Sequence, residues 1–523
     1  MSQIKPRFKI LALPVDGRPV TREQVQFVAG IADCELLCPS VEALGHFREE
    51  ADRDRLAEWV SGNAADVDGF LFSLDMLVYG GLVPSRFIDD STESLRARLD
   101  LLKELKQRYP DKPLYAFCAT MRMSNNNENE EEKLYWAEHG TDIWNWSFYS
   151  DRFACTGNEQ DRERAEWAKN RIPGHIQRDY LETRARNFSI TKDILALVEE
   201  GIVDRLVLPQ DDTAEYGFNI AERRQLQQLV DDRKLDKAVL VYPGADEVIY
   251  TLLVHQLQLL DQQHSDEVTP LRIALRPHHT GALAKMVARY EDRPVMESIR
   301  CQIDAAGAQL VDRESEADVV IAIHCRGVIQ GDWAMQYPLE EDLGLDHDWV
   351  VQLVTDLKER QKPLALLDLA YANGGDPELM AVLEQQAGAG ISALRAYAGW
   401  NTASNSIGSL VAQLCASLRT PASDEGKAHN QHLLVTRLLD DYLYQSRLRQ
   451  SLRATQKARD LPDGDVTALN EVYFTSATEW LERQGFDAVQ LHSVYFPWQR
   501  SFEIGLRTTV DLPSLSEPQE RFA

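Results

Sequence analysis

The sequence lacks the long apolar stretches, the basic surplus and the clustered cysteines that mark several large classes of protein. No apolar run reaches the ~18 residues that a membrane-spanning helix needs. The opening segment has neither a long apolar core nor a small-residue cleavage site, which predicts no signal peptide. Lys and Arg number 56 against 83 Asp and Glu, and the net charge of -27 argues against nucleic acid or an anionic membrane as main partner. The 7 scattered cysteines form no CxxC pair, which predicts reduced thiols in a cytoplasmic protein.

The common cofactor and nucleophile motifs are missing as well. No predicted strand is followed by GxGxxG, and neither a GxxxxGKS/T loop nor a GxSxG elbow occurs. The segment from Asn401 to Gly408 opens a predicted helix whose free amides suit an anion, but it lacks the lysine of a phosphate-binding loop. The sequence therefore gives no support for a nicotinamide or ATP cofactor, or for a serine nucleophile.

What the 523 residues do contain is a series of apolar runs that end in polar clusters and alternate with helical periodicity. Such runs are typical of strands buried on both faces, and helices between them favour parallel pairing, which predicts an α/β fold. We predict a first part over 1–265, with a barrel-like or doubly wound parallel sheet and a helical insertion at about 128–200. A flavodoxin-like part over 270–420 and a helical C-terminal cap over 421–523 follow. No chemistry is assigned to the cap.

Acidic residues follow several predicted strands. In RLVLPQDDTAEYG an apolar run is followed by Asp211 and Asp212, and in AVLVYPGADE another is followed by Asp246 and Glu247. Because parallel strands present their carboxyl ends at one edge of a sheet, we expect these acids to converge. Paired carboxylates in one cleft push their pKa values apart, as acid–base catalysis requires, so these four are the predicted catalytic residues. The alternative interpretation is a helix cap beside a solvated charge.

Other polar and aromatic residues at strand ends are predicted to bind substrate. Amide side chains suit sugar hydroxyls, aromatic faces suit a pyranose ring, and arginines suit a carboxylate or phosphate. The alternative for each single residue is a cap, a turn or a salt bridge. The predicted binding residues are Asp16, Arg18, Asp75, Tyr79, Arg86, Arg122, Asn126, Glu215, Asp368, Asn373, Trp400, Asn401 and Asn405.

Histidines leave a metal site open as an alternative. His279 and His324, with the nearby carboxylates, offer ligands for a divalent cation. Neither HxH nor HExxH spacing is present, and the adjacent pair His278 and His279 is expected to point in different directions. No metal and no other cofactor is therefore part of the main prediction.

Several of these segments together resemble a bacterial family of unknown function, DUF4127. The resemblance covers roughly residues 8–420 and implies that the clusters form one site, but it implies no substrate. The usual first motif of that family is PLDDRPVN. Here Gly17 replaces its second acid and Thr21 its asparagine, which leaves Asp16 and Arg18 as the positions of interest. The matching motifs are PxDxRPV (14–20), DMLVYGGLVPSR (75–86), NNNENEE (125–131), LPQDDTAEYG (208–217), YPGADE (242–247), ANGGD (372–376) and AGWNTASNSIG (398–408).

The predicted function is that of a cytoplasmic hydrolase of a small polar substrate. A glycosidase that acts on an oligosaccharide or amino sugar through a carboxylate acid/base pair fits the residue types best. A metal-dependent hydrolase or lyase and a non-catalytic sugar-binding protein remain alternatives. The expected partner is a small carbohydrate-like molecule, neither nucleic acid nor membrane, and a homo-oligomer is possible.

Overall fold

The computed structural model describes residues 6–265, 267–359, 361–386, 388–419 and 423–510. Within those ranges no helix combines the length and the apolar character needed to cross a membrane. The strands are β1 (Phe8–Leu13), β2 (Cys34–Leu37), β3 (Gly69–Ser73), β4 (Leu114–Phe117), β5 (Arg205–Gln210), β6 (Val239–Pro243), β7 (Arg272–Pro277), β8 (Gln309–Leu310), β9 (Val319–His324), β10 (Gly331–Asp332), β11 (Leu364–Asp368), β12 (Tyr371–Ala372), β13 (Ala396–Ala398), β14 (Val489–Tyr495) and β15 (Gly505–Val510).

Helices connect most of these strands. Short 3-10 turns cover Val41–Leu44, Ala64–Asp66, Pro84–Arg86, Glu314–Glu316 and Gly388–Ala393, and π-helical stretches cover Leu438–Leu448 and Asn470–Phe474. The α-helices are α1 (Glu23–Ile31), α2 (Arg53–Asn63), α3 (Leu74–Tyr79), α4 (Thr92–Ala97), α5 (Asp100–Arg108), α6 (Trp136–Thr156), α7 (Glu159–Asn170), α8 (Gly174–Glu199), α9 (Phe218–Asp232), α10 (Val248–Gln262), α11 (Thr280–Leu283), α12 (Val295–Ala305), α13 (His347–Glu359), α14 (Pro377–Gln386), α15 (Ala403–Leu418), α16 (Asp424–Arg437), α17 (Arg449–Ala458), α18 (Val466–Leu469) and α19 (Thr475–Arg483).

The first sheet is parallel and has six strands in the order β2-β1-β3-β4-β5-β6. Its strands are apolar along their whole length because helices cover both faces: α1 and α10 pack on one, and α2, α5 and α8 on the other. The α/β prediction is confirmed. The sheet is open, with β2 and β6 as its edges, so it is doubly wound and the barrel-like alternative does not describe it.

The second sheet is parallel with the order β13-β11-β9-β7-β8. Counted from its own first strand, this is the 2-1-3-4-5 order of flavodoxin-like folds, so the predicted flavodoxin-like part is confirmed. Helices α12 and α15 cover one face, and α13 and α14 the other. In both sheets the strand order reverses between the first and third strands, which opens a crevice at the carboxyl edge.

A single apolar core joins the two sheets. It includes Ile10 of β1, Leu253 of α10, Ile321 of β9 and Leu410 of α15, each at most 1% exposed. Helix α10 (VIYTLLVHQLQLLDQ) is apolar on nearly all sides, as expected of a helix enclosed on every face. The core brings the carboxyl edges of the sheets together. The predicted division at 265–270 remains a prediction.

The C-terminal region is helical from α16 to α19, as predicted, and then forms an antiparallel hairpin, β14 with β15, that was not foreseen. Val489, Leu491 and Val494 on β14 face the core shared with Tyr442 and Trp480. The loop between these strands, residues 496–504, reaches the carboxyl edge of the first sheet. Residues 421, 422 and 511–523 of the predicted cap lie outside the described part of the chain.

Candidate active site at the carboxyl edge of the first sheet

The loop after β1 holds a buried ion-pair cluster. The backbone N–H of Arg18 donates to Asp16 Oδ1 at 2.9 Å, which folds the PVDGRPV segment into a tight turn. The Arg18 guanidinium then donates from Nη2 to Asp16 Oδ2 at 2.7 Å and to Asp246 Oδ1, after β6, at 2.5 Å. Thr21 Oγ1 donates to Asp16 Oδ1 at 2.6 Å. The first motif therefore positions an arginine between two acids from separate strands.

The second sheet contributes to this cluster through the segment that opens α15. The Asp246 backbone N–H donates to Asn405 Oδ1 at 3.1 Å, and Asn401 Nδ2 donates to Asp246 Oδ2 at 3.4 Å. Asn373, after β12, donates its backbone N–H to the Asn401 carbonyl at 2.9 Å. Asn373 and Asn401 both have φ of +58°, a left-handed conformation that asparagine tolerates better than most residues. The candidate site is thus built where the two sheets meet.

A second cluster follows β3, β4 and β5. Arg86 Nη2 donates to Asp211 Oδ2 at 3.1 Å. Arg122 Nη1 lies 3.2 Å from Asp212 Oδ2, which also accepts from Ser124 Oγ at 3.2 Å. Asp212 has a φ of +41°, unusual for a residue with a side chain, and such strain tends to occur at functional sites. The two acids keep 17% and 24% of their side chains exposed, so both are accessible from solvent.

Three charged residues that sequence reasoning missed connect the two clusters. Glu131 accepts from Arg86, Arg122 and Arg500. Glu503 accepts from Arg500 Nε at 2.9 Å and lies 3.5 Å from Arg18 Nη1. Glu131 ends the NNNENEE motif, but Arg500 and Glu503 lie in the hairpin loop, where no sequence motif marks them. The network therefore runs without interruption between the two clusters.

Aromatic rings from the hairpin loop cover this network. The Trp498 ring stacks on Phe47 with centroids 4.7 Å apart. The guanidinium carbon of Arg18 lies 4.6 Å from the centroid of the Trp498 ring, and that of Arg500 lies 4.8 Å from it. Cation–π contact of this kind further restrains both arginines. Trp498 itself is 4% exposed and covers the part of the network that contains Arg18 and Arg500.

Burial raises the pKa of two acids of the network, Asp211 and Asp246. Burial, and then the neighbouring Asp212, raise the pKa of Asp211 to about 7 against the lowering effect of Arg122 and Arg86. Burial raises the pKa of Asp246 to about 6, although Arg18 opposes the shift. Glu131 behaves oppositely: burial alone would raise its pKa, but Arg122, Arg500 and Arg86 hold it well below the usual range. Asp211 is thus a reachable acid that exchanges a proton near neutral pH.

Three residues predicted for the site lie beside the network but outside it. The Glu247 carboxylate folds back on its own loop, accepting from the Ala245 backbone N–H at 2.9 Å and from Gln302 Nε2 at 2.6 Å. Asp75 accepts from the Ala119 backbone N–H at 2.9 Å and is 1% exposed. Tyr79 is buried in the core on one face of the first sheet, where its hydroxyl has no partner among the described residues. None of the three faces the ion-pair network.

Four more predicted residues are placed apart from the ion-pair network. Asn126 Oδ1 accepts from the Glu128 backbone N–H within its own loop. Glu215 is exposed. Trp400 is 2% exposed, so its face is not open to a sugar ring. Asp368, at the end of β11, accepts from the Asp376 backbone N–H at 2.7 Å in the second sheet.

The histidines form a separate chain at the carboxyl edge of the second sheet. His278 Nδ1 lies 3.1 Å from His324 Nδ1, and His324 Nε2 lies 2.8 Å from Asp376 Oδ2. His279 Nε2 lies 3.1 Å from the Gly344 carbonyl oxygen instead. Across the described ranges no group of three or more His, Cys, Asp and Glu side chains is arranged to hold a metal ion. His279 and His324 therefore do not converge on a common ligand position.

Comparison with known proteins identifies a family but no activity. A family model described as "Protein of unknown function (DUF4127)" matches residues 10–507. No curated protein matches the chain. Of solved structures, GanP, a glucose-galactose binding protein from Geobacillus stearothermophilus, aligns at 8% identity over 79% of this chain and 93% of that chain, with a TM-score of 0.15. A C2-type ketoreductase from a modular polyketide synthase aligns at 11% identity over 91% and 87%, with a TM-score of 0.19. At these scores neither structure bears on function.

Proposed function

We propose that this chain, which belongs to the DUF4127 family, is a glycoside hydrolase that acts on an oligosaccharide or amino sugar. The observation that carries the proposal is the pair Asp211 and Asp212, both partly exposed at the carboxyl edge of a parallel sheet. The pKa of Asp211 is raised to about 7. Two neighbouring carboxyls, one with a raised pKa and one that stays ionised, are what glycoside hydrolysis needs.

In this proposal Asp211 is the general acid. Its carboxyl donates a proton to the glycosidic oxygen as the bond to the anomeric carbon breaks, and Arg86 orients it through the 3.1 Å contact. Asp212, held by Arg122 and Ser124, supplies negative charge opposite the oxocarbenium-like centre. Arg86 stabilises the resulting anion at Asp211. A water molecule then adds to the anomeric carbon and gives a proton to the Asp211 carboxylate, which restores the acid.

The Arg18 cluster has the supporting role of binding sugar hydroxyls. Asp246 and Asp16 accept hydrogen bonds, while Asn401 and Asn405 provide amide groups within a few ångströms of Asp246. Acceptors and amides placed around one arginine suit the alternating hydroxyls of a pyranose. This cluster would therefore govern binding more than the chemical step.

A non-catalytic sugar-binding protein is the second candidate. Its support is that the carboxylates of the network are engaged by guanidinium groups, an arrangement that restrains them as a binding site requires. Such a protein would bind sugar at the same residues and release no product. Both candidates therefore predict sugar binding at these residues, and only the hydrolase predicts turnover.

Hydrolysis of a panel of nitrophenyl glycosides, N-acetylated and acidic sugars included, tests the proposal. We expect release of nitrophenol that persists in the presence of a chelator. Release that the chelator abolishes would move the assignment to a metal-dependent hydrolase or lyase. Binding without release from any sugar would establish the non-catalytic candidate.

For location we propose the cytoplasm. The cysteines Cys34, Cys118, Cys325 and Cys415 are buried and unpaired, and the other three are free as well. Free thiols in this number are typical of a reducing compartment. Mass measurement of the alkylated, unreduced protein from its native cell tests this, since a disulfide-bonded form would contradict it.

A further inference from the structure

Three arginines from separate segments converge on one carboxylate. Glu131 Oε2 lies 3.0 Å from Arg122 Nη1 and 3.2 Å from Arg86 Nη1, while Glu131 Oε1 lies 2.7 Å from Arg500 Nη2. Arg86 follows β3, Arg122 follows β4 and Arg500 comes from the hairpin loop. Both carboxylate oxygens are therefore bound, which is the recognition that guanidinium groups give to planar anions.

Each of these arginines is also held by a second acid. Arg86 binds Asp211 at 3.1 Å, and Arg122 Nε binds Glu132 Oε1 at 2.7 Å. Arg500 Nε binds Glu503 Oε2 at 2.9 Å. The second contacts keep the guanidinium groups pointing at the same position when the Glu131 side chain is elsewhere. The three arginines thus form a preorganised carboxylate site, and preorganisation lowers the cost of binding.

The Glu131 side chain is more exposed than those of Glu132 and Glu503. It is 18% exposed, against 3% for Glu132, and the residue lies in a loop without helix or strand. The backbone of that loop is tied down separately, because Arg48 donates to the carbonyls of Asn129, Glu130 and Glu132 at 2.9, 2.9 and 2.7 Å. The loop backbone is therefore held by contacts that do not involve the Glu131 side chain.

We infer that Glu131 occupies the position of a carboxylate on the substrate, so that the hydrolase proposed above acts on an acidic sugar such as a uronic acid. The part of this inference that concerns hydrolysis rests on the proposed function, and the part that concerns carboxylate binding does not. Exchanging one carboxylate for another preserves the charge balance of the network, whereas a neutral sugar would leave Arg86, Arg122 and Arg500 with only their second acids. Arg86 touches both this position and Asp211, so an acidic group bound there lies beside the proposed acid.

Removing Glu131 should create a vacant site that free carboxylate fills. In Glu131→Ala, we expect sodium acetate to raise Tm more than sodium chloride at the same ionic strength, because a ligand that binds the folded state stabilises it. Glu128→Ala removes the same charge from an exposed position in the same loop and should respond equally to both salts. Glu131→Ser leaves a similar space beside a small polar side chain and serves if the alanine variant folds poorly. An acetate response no larger in either Glu131 variant than in Glu128→Ala overturns the inference.

Calorimetry with a sugar panel gives the second test. Glucuronate, galacturonate and N-acetylneuraminate are compared with glucose, galactose and N-acetylglucosamine. At least one acidic sugar should bind Glu131→Ala ~10-fold or more tightly than it binds the wild-type chain, and Arg500→Gln in the same background should remove that gain. Absence of binding by every acidic sugar, or an equal gain for neutral sugars, overturns the inference. If acidic sugars bind but no acidic glycoside is hydrolysed, the glycosidase proposal fails alone. If only neutral glycosides are hydrolysed, the present inference fails alone.

Discussion

The two sheets have the same strand order over their first five strands, yet their carboxyl edges differ in what they leave accessible. Both place polar groups at the point where the strand order reverses: Arg18 and Arg86 follow β1 and β3, and His278 and His324 belong to the ends of β7 and β9. At the first sheet the polar network ends in partly exposed acids. At the second the histidine chain is closed, although the outer acids Asp342 and Glu378 are exposed.

The closure of the second edge is visible atom by atom. The Asp346 backbone N–H donates to His278 Nε2 at 2.6 Å, and His278 Nδ1 lies 2.9 Å from the Cys325 carbonyl oxygen. His324, between His278 and Asp376, is 0% exposed. Burial and the proximity of His324 lower the pKa of His278 to about 4, so His278 is neutral at physiological pH. The ring nitrogens of His278 and His324 all lie within hydrogen-bond distance of other groups of the protein.

A polar cluster at a strand end is therefore necessary for an active site at the edge of a sheet, but it is not sufficient. At the first edge burial, and then the neighbouring Asp212, raise the pKa of Asp211 to about 7. At the second edge Arg326 binds Asp342, Asp376 and Glu378, and His324 also binds Asp376. Burial alone would raise the pKa of Asp376, but His324 and Arg326 hold it below its usual range. We therefore expect substitutions at the first edge to affect turnover and those at the second to affect stability.

The largest effect is expected from Asp211→Asn. Asparagine keeps the contact with Arg86 but has no proton to donate, and loss of a general acid lowers kcat by roughly 10²–10⁴-fold. Glu215→Gln, in the same loop but exposed, is the matched control and should retain activity. Steady-state turnover of the best glycoside substrate measures both. Equal activity of the two variants would remove Asp211 from catalysis.

Asp376→Asn should show the opposite behaviour. Asp376 is 1% exposed and binds His324 and Arg326, so its loss leaves Arg326 with one fewer buried partner and costs about 3 kcal/mol of unfolding free energy. Asp342→Asn, at a partner of Arg326 that is 37% exposed, should cost less than about 1 kcal/mol. Urea unfolding gives the free energies, and kcat of the folded variants should match the wild-type value. A large loss of kcat in Asp376→Asn would contradict the expectation that substitutions at the second edge affect stability and not turnover.

The pH dependence of turnover should reflect the first edge. Burial and Asp212 raise the pKa of Asp211 to about 7, and the residue acts in its protonated form. We therefore expect kcat/KM to fall as pH rises through about 7. The Asp376→Asn variant should show the same fall of kcat/KM with pH, because no residue of the second edge donates the proton. A profile that is flat between pH 6 and 8 would contradict the role of Asp211.

The smallest effect is expected from Glu247→Gln. Burial raises the pKa of Glu247 to about 8, so the stability it contributes is complete below its ordinary pKa near 4.5 and is lost as pH rises through 8. The glutamine cannot ionise. At pH 6 we expect the variant to match the wild type within about 1 kcal/mol. Between pH 6 and 9 the Tm of the variant should rise relative to that of the wild type. A constant difference in Tm over this range would contradict a raised pKa of Glu247.

Much of the fold was predictable because it depends on local pattern. Apolar runs such as LVLP after Arg205 predicted parallel strands buried on both faces, and the flavodoxin-like second part followed from the same pattern. Residues near strand ends, among them Arg18 and Asp211, were placed at the correct edge for the same reason. Glu247 shows the limit of that reasoning: its neighbour Asp246 joins Arg18, while its own side chain turns back toward Gln302.

The strands, their parallel arrangement and the acids and arginines at one edge were predictable, since they depend on periodicity and on residues close together in the chain. Which of those residues contact each other depends on the tertiary fold. Glu503 lies 485 residues from Arg18, and no local signal encodes a contact over that distance. Whether a polar strand end stays open, as at Asp211, or is closed, as at His324, depends on what the rest of the chain packs over it.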